Sequence, residues 1–292
     1  MKLYTFELGQ QRRLGAEWQA QLVDLAVAYE AAAAMQPPQP NRLRVFPGDM
    51  LTFLRIGAPA IEAAAEAMAF VKKRRAAPVG EQILYPIDAV KLRAPVLRPG
   101  KIICCEVNGN SNGADDPSFY LKVASAIIGP GESILKLSDV GELTFNPHLA
   151  VLMRARLKNR SEDEVLSSIF GYTLLNDFTA TKAAGKELPP LIAKNFDAFC
   201  PLGPCLVTTN ELSITPTIQI HTTVNGSEKS LDACTFPVAR TLSFLSRIMT
   251  LEPGDIVSFG LKRGQGFTVK AGDVIAIEVE GLGRLENQII GG

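Results

Sequence analysis

The stretch that decides the fold runs from Leu143 to Ala180 and reads LTFNPHLAVLMRARLKNRSEDEVLSSIFGYTLLNDFTA. Its apolar run over residues 145–154 is typical of a buried strand. A charged turn follows, and the spacing of Ser161 and Glu164 predicts a capping box at the start of a helix. We expect that helix to bury an apolar face that extends to Phe170, before a second extended segment begins. The stretch therefore predicts a strand, a turn, a helix and a strand.

Three polar residues in this stretch form a candidate site. Asn146 and His148 are two positions apart, so on a strand both side chains point to the same face. Asp177 lies at the end of the second extended segment. Together they could bind a metal ion or a polar substrate, whereas polar groups at a strand end are also commonly just solvated. The residues alone leave both interpretations open.

Composition excludes several classes of protein. The 292 residues carry 30 acidic and 30 basic side chains, and no basic stretch alternates with aromatic residues, so we expect no nucleic-acid partner. No run of about 20 apolar residues occurs, so we expect no membrane span. The N-terminal residues lack the apolar core of a signal peptide. Five cysteines without paired spacing favour buried, reduced thiols, and we expect a cytoplasmic protein.

The chain divides by composition near residue 90. Residues 1–90 predict a small N-terminal α/β domain, and residues 91–292 contain short β-like runs with frequent glycine and proline. Asn225 and Gly226 give a strong hairpin signal within the second part. We therefore expect an α+β fold in which a mixed β-sandwich roll follows the small domain. The helices expected from apolar spacing span residues 22–35, 50–56, 59–75 and 237–249.

The cysteine pair at Cys104 and Cys105 could suggest a nucleophile. A reactive thiolate needs a positive neighbour or a base to lower its pKa, and the adjacent Glu106 has the opposite effect. Packing of both thiols in the core is the favoured interpretation.

Several longer segments, dense from residue 98 onward, carry a resemblance to a known family. They include RPGKIICCEVN (98–108), SAIIGPGESI (125–134), GYTLLNDFTA (171–180), AKNFDAFCPLGPCLVT (193–208) and SRIMTLEPGDIVSFG (246–260). On these segments the chain resembles the fumarylacetoacetate hydrolase superfamily, and the resemblance covers most of its length. It implies a β-roll domain, usually in a homodimer, that uses Mg²⁺ or another divalent ion to hold a 2-oxo or 1,3-diketo acid. The implied reactions are C–C hydrolysis, decarboxylation, isomerisation or hydration.

The same resemblance implies that the metal-ligand positions are altered. The family places Glu-x-Glu where this chain has Asn146 and His148, and it keeps the third ligand as Asp177. One carboxylate, one amide and one imidazole carry less negative charge than three carboxylates. If these residues hold a metal, the set suits a borderline ion such as Zn²⁺ better than Mg²⁺.

Further positions implied by the resemblance lie in loops. Asn112 and Asp115 stand where the family has a catalytic His and Glu, and we expect them to contact substrate. Lys194, in the segment AKNFD, is the lysine that the family keeps.

Three hypotheses follow. The first is an enzyme of this superfamily that acts on a small 2-oxo acid or 1,3-dicarbonyl compound through an altered or absent metal site. Lys194 would be its cationic anchor, and His148 and Asp177 its acid–base or metal-binding groups. The second is a non-catalytic paralogue that binds a metabolite or supports an active family member. The third is an ordinary metal-dependent hydrolase of the family.

Overall fold

The computed structural model describes residues 1–37, 40–74, 82–107, 118–212, 217–230, 233–235, 237–262 and 266–292. Its helices are α1 (Leu25–Ala34), α2 (Met50–Ile56), α3 (Ala58–Arg74), α4 (Glu162–Val165), α5 (Pro190–Ala193) and α6 (Val238–Ile248). The strands of the first half are β1 (Lys2–Leu8), β2 (Gln11–Trp18), β3 (Gln21–Asp24), β4 (Leu84–Pro86), β5 (Lys91–Arg93), β6 (Ile102–Val107), β7 (Ser118–Lys122), β8 (Ile127–Ile128), β9 (Ile134–Lys136) and β10 (Leu143–Met153). The remaining strands are β11 (Ile169–Ala180), β12 (Lys182–Ala183), β13 (Lys186–Glu187), β14 (Cys200–Thr208), β15 (Thr217–Gln219), β16 (His221–Val224), β17 (Ser227–Ser230), β18 (Ala233–Thr235), β19 (Ile256–Lys262), β20 (Phe267–Val269), β21 (Val274–Val279) and β22 (Gly283–Gly291).

A large mixed sheet organises the molecule, with the strand order β4-β3-β2-β1-β14-β11-β10-β19-β6-β7. Most of its pairs are antiparallel, and β19 and β6 run parallel. A smaller sheet has the order β17-β16-β21-β22-β9. The expected α+β fold, with a helical N-terminal part and a sheet-rich C-terminal part, is confirmed.

The large sheet curls back on itself. A short 3-10 turn at Ala124–Ala126 follows β7, and the next strand, β8, pairs with β14 through Ile127 and Cys200. Because β14 lies several strands away from β7 along the sheet, this pairing brings the two regions together. The curl therefore places residues of β7 close to residues of β11.

The N-terminal strands extend this sheet. β1 pairs with β14, where Lys2 lies opposite Val207, and β5 pairs with β1. The N-terminal part is thus joined to the rest by backbone hydrogen bonds as well as by packing. The division into domains at residues 90 and 91 stays a prediction.

Two apolar layers cover the two faces of the large sheet. Along β10, Leu149 and Val151 face the layer shared with the smaller sheet and with α6. Ala150 and Leu152 alternate with them and face the layer that contains the N-terminal helices. This alternation follows from the two-residue period of a strand. Since both faces are covered, β10 is buried along most of its length.

The helix predicted over residues 22–35 begins later than expected. Residues 21–24 form strand β3, and Asp24 caps α1 by accepting from the amides of Ala26 and Val27. The apolar residues Leu22 and Val23 satisfy a strand as well as a helix, and pairing with β2 decides between them. The prediction for residues 50–56 is confirmed, since α2 spans Met50–Ile56 behind its cap. Helices α3 and α6 confirm the other two predictions within one residue at each end.

The helix predicted to extend to Phe170 is shorter than expected. The capping box of Ser161 and Glu164 is present, and α4 ends at Val165 before a 3-10 turn. Ile169 and Phe170 belong to β11 instead, because pairing with β10 continues to that end of the strand. Long-range pairing therefore overrides the local helical spacing.

Two smaller predictions are confirmed. Asn225 and Gly226 form the turn between β16 and β17, and both have the positive φ angles that such a hairpin requires. Cys104 and Cys105 are buried in the core. Among the described residues, no helix has the length and apolar character needed to cross a membrane.

Candidate functional site

The polar residues singled out in β10 and β11 lie on one face of the large sheet. Asn146 lies directly opposite Asp177 in the register of the two strands, and His148 lies opposite Leu175. On the other side of β10, His148 faces Gly260 of β19. The structure thus places Asn146, His148 and Asp177 on neighbouring positions of the same face, as expected from the two-residue period.

Asp177 is the centre of a buried hydrogen-bond network. Its carboxylate is 1% exposed and accepts from three side chains. Lys122 Nζ donates to Oδ1 at 2.6 Å, and Lys194 Nζ donates to Oδ2 at 2.7 Å. Tyr120 Oη donates to Oδ2 at 2.5 Å. Burial alone would raise the pKa of Asp177, but the charges of Lys122 and Lys194 outweigh it and hold the pKa below its usual range.

Lys122 is the cation of this network that is inaccessible to solvent. Its Nζ donates to Asp177 and to two backbone carbonyls, those of Phe178 at 3.2 Å and Lys194 at 2.5 Å. An ammonium has three N–H donors, so all of them are used. Burial would lower the pKa of Lys122, and the Asp177 carboxylate raises it above the usual value. Lys122 therefore stays charged and holds the site together.

Lys194 is the accessible cation. It follows α5 as the C-cap residue, and its Nζ donates to Asp177 and, at 3.1 Å, to Thr179 Oγ1. The ammonium also lies 4.0 Å from the centre of the Tyr120 ring, a favourable cation–π distance. Its side chain is 15% exposed. The third N–H of Lys194 has no hydrogen-bond acceptor among the described residues, so it can meet a ligand.

His148 is a neutral imidazole beside this network. It is fully buried, and its Nδ1 lies 2.9 Å from Ser258 Oγ. Burial lowers the pKa of His148 to about 4, with Asp177 raising it and the two lysines lowering it further. Nε2 has no hydrogen-bond partner within the described part of the chain and lies against Gly260, where a Cβ would come within 2.2 Å of it. Glycine at position 260 therefore makes room for this ring.

The remaining predicted residues divide into two groups. Asn146 is half-buried and lies opposite Asp177. Asn112 and Asp115, which were expected to contact substrate, lie outside the described residues.

Four residues of the site were not expected from the sequence: Tyr120, Lys122, Ser258 and Gly260. Tyr120 and Lys122 are two apart in the segment SFYLK, and strand alternation would have put them on one face. No local signal says that this strand approaches Asp177, because the contact spans 55 residues and depends on the curl of the sheet.

A divalent metal ion does not fit these residues. Both oxygens of Asp177 are already used, and two ammonium groups lie within 2.7 Å of them. Asn146 is neutral, and the Nε2 of His148, a nitrogen that could ligate an ion, is buried against Gly260. Within the described ranges, no three His, Cys, Asp or Glu side chains come together as a possible metal site. Two cations against one carboxylate leave the site with a net charge of about +1, which suits an anion.

The buried cysteines contribute no nucleophile to the site. Burial raises the pKa of Cys104 to about 12, and it also raises the pKa of Cys105 and Cys200. A thiol with a raised pKa is a poor nucleophile at physiological pH. The interpretation of Cys104 and Cys105 as packing residues fits these environments.

Known proteins are similar to this chain in sequence and in fold. The protein is 29% identical to the fumarylacetoacetate hydrolase domain-containing protein 2 homolog of Dictyostelium discoideum, over 99% of this chain and 97% of that one. It is 28% identical to the oxaloacetate tautomerase YisK of Bacillus subtilis, over 85% and 88% of the two chains. The maleylpyruvate hydrolase of Sphingobium sp. SYK-6 superposes with a TM-score of 0.77 at 23% identity over both full chains. A second structure of that enzyme, in complex with manganese(II) ion and pyruvate, superposes with a TM-score of 0.75 at the same identity and coverage.

The family match covers the sheet-rich part that carries the site. Residues 101–290 match the family described as Fumarylacetoacetate (FAA) hydrolase C-terminal. This range includes Lys122, His148, Asp177 and Lys194, and it comprises more than half of the chain. The protein therefore belongs to the fumarylacetoacetate hydrolase family.

Proposed function

We propose that the protein is an isomerase that interconverts the keto and enol forms of a small 2-oxo acid. The observation that carries this proposal is the excess of buried positive charge at Asp177, with one ammonium, that of Lys194, open to a ligand. Relatives named oxaloacetate tautomerase, such as the Bacillus subtilis protein, support this class of reaction.

Keto–enol interconversion makes modest chemical demands. A proton leaves carbon and another is added to oxygen, and no bond between heavy atoms breaks. The intermediate is an enolate, so a fixed cation beside its oxygen lowers the barrier. Lys194 suits this role because its ammonium is held in position by Asp177, by Thr179 and by the Tyr120 ring.

Each of these residues has a role in this proposal. Lys194 binds the carboxylate or enolate oxygen of the substrate through its free N–H. His148 is a positioning residue, since its ring is fully buried with Nε2 against Gly260 and its Nδ1 lies beside Ser258 Oγ. Asp177 is also a positioning residue, since both of its oxygens are occupied by donors of the protein.

Oxaloacetate provides the first test. The decay of the enol form is followed by ultraviolet absorbance, with the native protein and with Lys194→Met. Loss of a charged hydrogen bond to the enolate should lower kcat/KM by about 10- to 100-fold. Lys186→Met is the matched control, because Lys186 is an exposed lysine outside the network, and it should retain the native rate.

Assays with further substrates distinguish the isomerase from a C–C hydrolase and from a non-catalytic paralogue. Acylpyruvates and other 1,3-dicarbonyl acids test C–C hydrolysis in the same variants. If none of these compounds is turned over, the isomerase proposal is wrong, and the hypothesis of a non-catalytic paralogue is favoured instead. If turnover is the same in native protein, His148→Asn and Lys194→Met, the assigned site is wrong. As part of this proposal we expect a cytoplasmic homodimer, and light scattering on the purified protein measures its mass.

A further inference from the structure

We infer that the ammonium of Lys194 takes the electrostatic place of a divalent ion, so that the site binds its 2-oxo acid without metal. This inference rests on the proposed function and specifies how the same site recognises its ligand. It depends on three features of the described residues: the charge balance, the hydrogen bonds to both oxygens of Asp177 and the exposure of Lys194.

The charge balance disfavours a second cation. Among the described residues, Asp177 supplies the one carboxylate of the network, and the ammonium groups of Lys122 and Lys194 both lie in contact with it. A divalent ion at this carboxylate would lie within a few ångströms of two positive charges in a poorly solvated site, where charges interact more strongly than in water. A ligand anion, in contrast, would neutralise the excess charge.

Both oxygens of Asp177 already accept hydrogen bonds from the protein. Lys122 donates to Oδ1, and Lys194 and Tyr120 donate to Oδ2. A metal ion on Oδ1 would either lie beside the ammonium of Lys122 or displace Lys122, whose side chain is inaccessible to solvent. Two carbonyls, those of Phe178 and Lys194, would then lose their buried donor as well. Each such loss costs free energy without a compensating contact with water.

Lys194 has the properties that ligand binding requires. Its ammonium is fixed on one side by Asp177 and Thr179 and retains one N–H without an acceptor in the described part of the chain. Its side chain is also partly exposed, and the half-buried Tyr120 has its ring centre 4.0 Å from the ammonium. The expected ligand is therefore a small carboxylate with an adjacent keto or enolate oxygen. Oxalate has this arrangement of oxygens and serves as the probe.

The test is a calorimetric titration of oxalate into the full-length protein, with EDTA or with Mn²⁺ present. We expect the same affinity within about twofold in both buffers. Lys194→Met should weaken oxalate binding by about tenfold or more, because one charged hydrogen bond is lost. Lys186→Met, which changes an exposed lysine outside the network, should bind oxalate as the native protein does.

Titration of Mn²⁺ alone, measured by calorimetry and by electron paramagnetic resonance, tests the metal directly. We expect no binding tighter than about 1 mM to the native protein. Asn146→Glu should introduce measurable Mn²⁺ binding, since it adds a second carboxylate opposite Asp177 at a half-buried position. Thermal unfolding of each variant verifies that it is folded.

Three outcomes would overturn the inference. These are tight Mn²⁺ binding by the native protein, oxalate binding that disappears in EDTA and returns with Mn²⁺, and no oxalate binding in either buffer. Failure of this inference can be distinguished from failure of the isomerase proposal. Metal-dependent oxalate binding with intact turnover would refute this inference alone, whereas metal-free oxalate binding without turnover would refute the isomerase proposal alone.

Discussion

Asp24 and Asp177 are both buried and both bound to a cation, yet their surroundings differ. Asp24 accepts from the amides of Ala26 and Val27 at the start of α1, and from Arg13 at 2.6 Å. In the described part of the chain, Asp177 accepts from three side chains, two of them lysines. Asp24 thus completes a helix end, whereas Asp177 holds more positive charge than it can neutralise.

The difference shows which buried carboxylate marks a site. At Asp24, one carboxylate meets one guanidinium and the partial positive charge of a helix start, so the local charges balance. At Asp177, the second ammonium creates an excess that a ligand can neutralise, and Lys194 leads from this excess to solvent. Burial of an ionised residue is therefore a weaker indication of function than unbalanced charge with access to solvent.

The largest expected effect comes from Asp177→Asn. This change leaves Lys122 charged, buried and without a counter-ion, so the free energy of unfolding should fall by about 3–5 kcal/mol. Urea unfolding near neutral pH measures it. In the double variant Asp177→Asn/Lys122→Met, removal of the stranded charge should recover part of the loss. A loss below about 1 kcal/mol would show that Asp177 contributes no more to stability than Asp24, and it would contradict the difference in charge balance that we infer between them.

Acid should destabilise the region around Asp177 through His148. The pKa of His148 in the folded protein, about 4, lies below the usual histidine value of about 6.5, so the unfolded chain binds more protons between these values. The stability that neutral His148 contributes is complete above pH 6.5 and is lost as the pH falls toward 4. The loss should reach about 3 kcal/mol. Asp177 adds a further loss below the usual Asp pKa of about 4, because its folded pKa is lower still.

Urea unfolding at a series of pH values tests this window. His148→Asn retains a polar group near Ser258 and cannot be protonated, so its stability should vary much less over the same range. Equal slopes in native protein and His148→Asn would show that His148 is not the group responsible.

Lys122→Met should have a smaller effect than removal of Asp177. Asp177 would retain Lys194 and Tyr120, while the carbonyl of Phe178 would lose its buried donor. We expect a loss of about 2 kcal/mol in the free energy of unfolding. Lys194→Met should cost less stability, because that side chain is partly exposed. Urea unfolding of the two variants side by side measures which loses more stability. A larger loss in Lys194→Met would contradict the distinction between the solvent-inaccessible Lys122 and the accessible Lys194.

The smallest effect is expected for Asp24→Asn. Asparagine can still accept from the amides of Ala26 and Val27, since it caps helices about as well as aspartate. The change removes the charge partner of Arg13, which is partly exposed, so the loss should be about 1 kcal/mol. Thermal unfolding of this variant beside Asp177→Asn gives the direct comparison. A larger loss at Asp24 would reverse our ranking of the two carboxylates.

Much of the strand pair that carries the site followed from the sequence. The apolar run predicted β10, and the two-residue period predicted that Asn146 and His148 share a face. The resemblance to the family added Asp177 and Lys194 as members of the same site. The helix between the strands was overestimated, because Ile169 and Phe170 fit a helical spacing and yet belong to β11, where Ile169 pairs with Met153 of β10.

By itself, the sequence determined the elements whose signals are local: the capping box at Ser161, the hairpin turn at Asn225 and the alternation along β10. The tertiary structure alone decided that Lys122 meets Asp177, four strands away along the sheet. The physical reason is that this contact depends on the curl that pairs β8 with β14. Local spacing carries no information about that curl, and so the charge of the site could be known only once the sheet was folded.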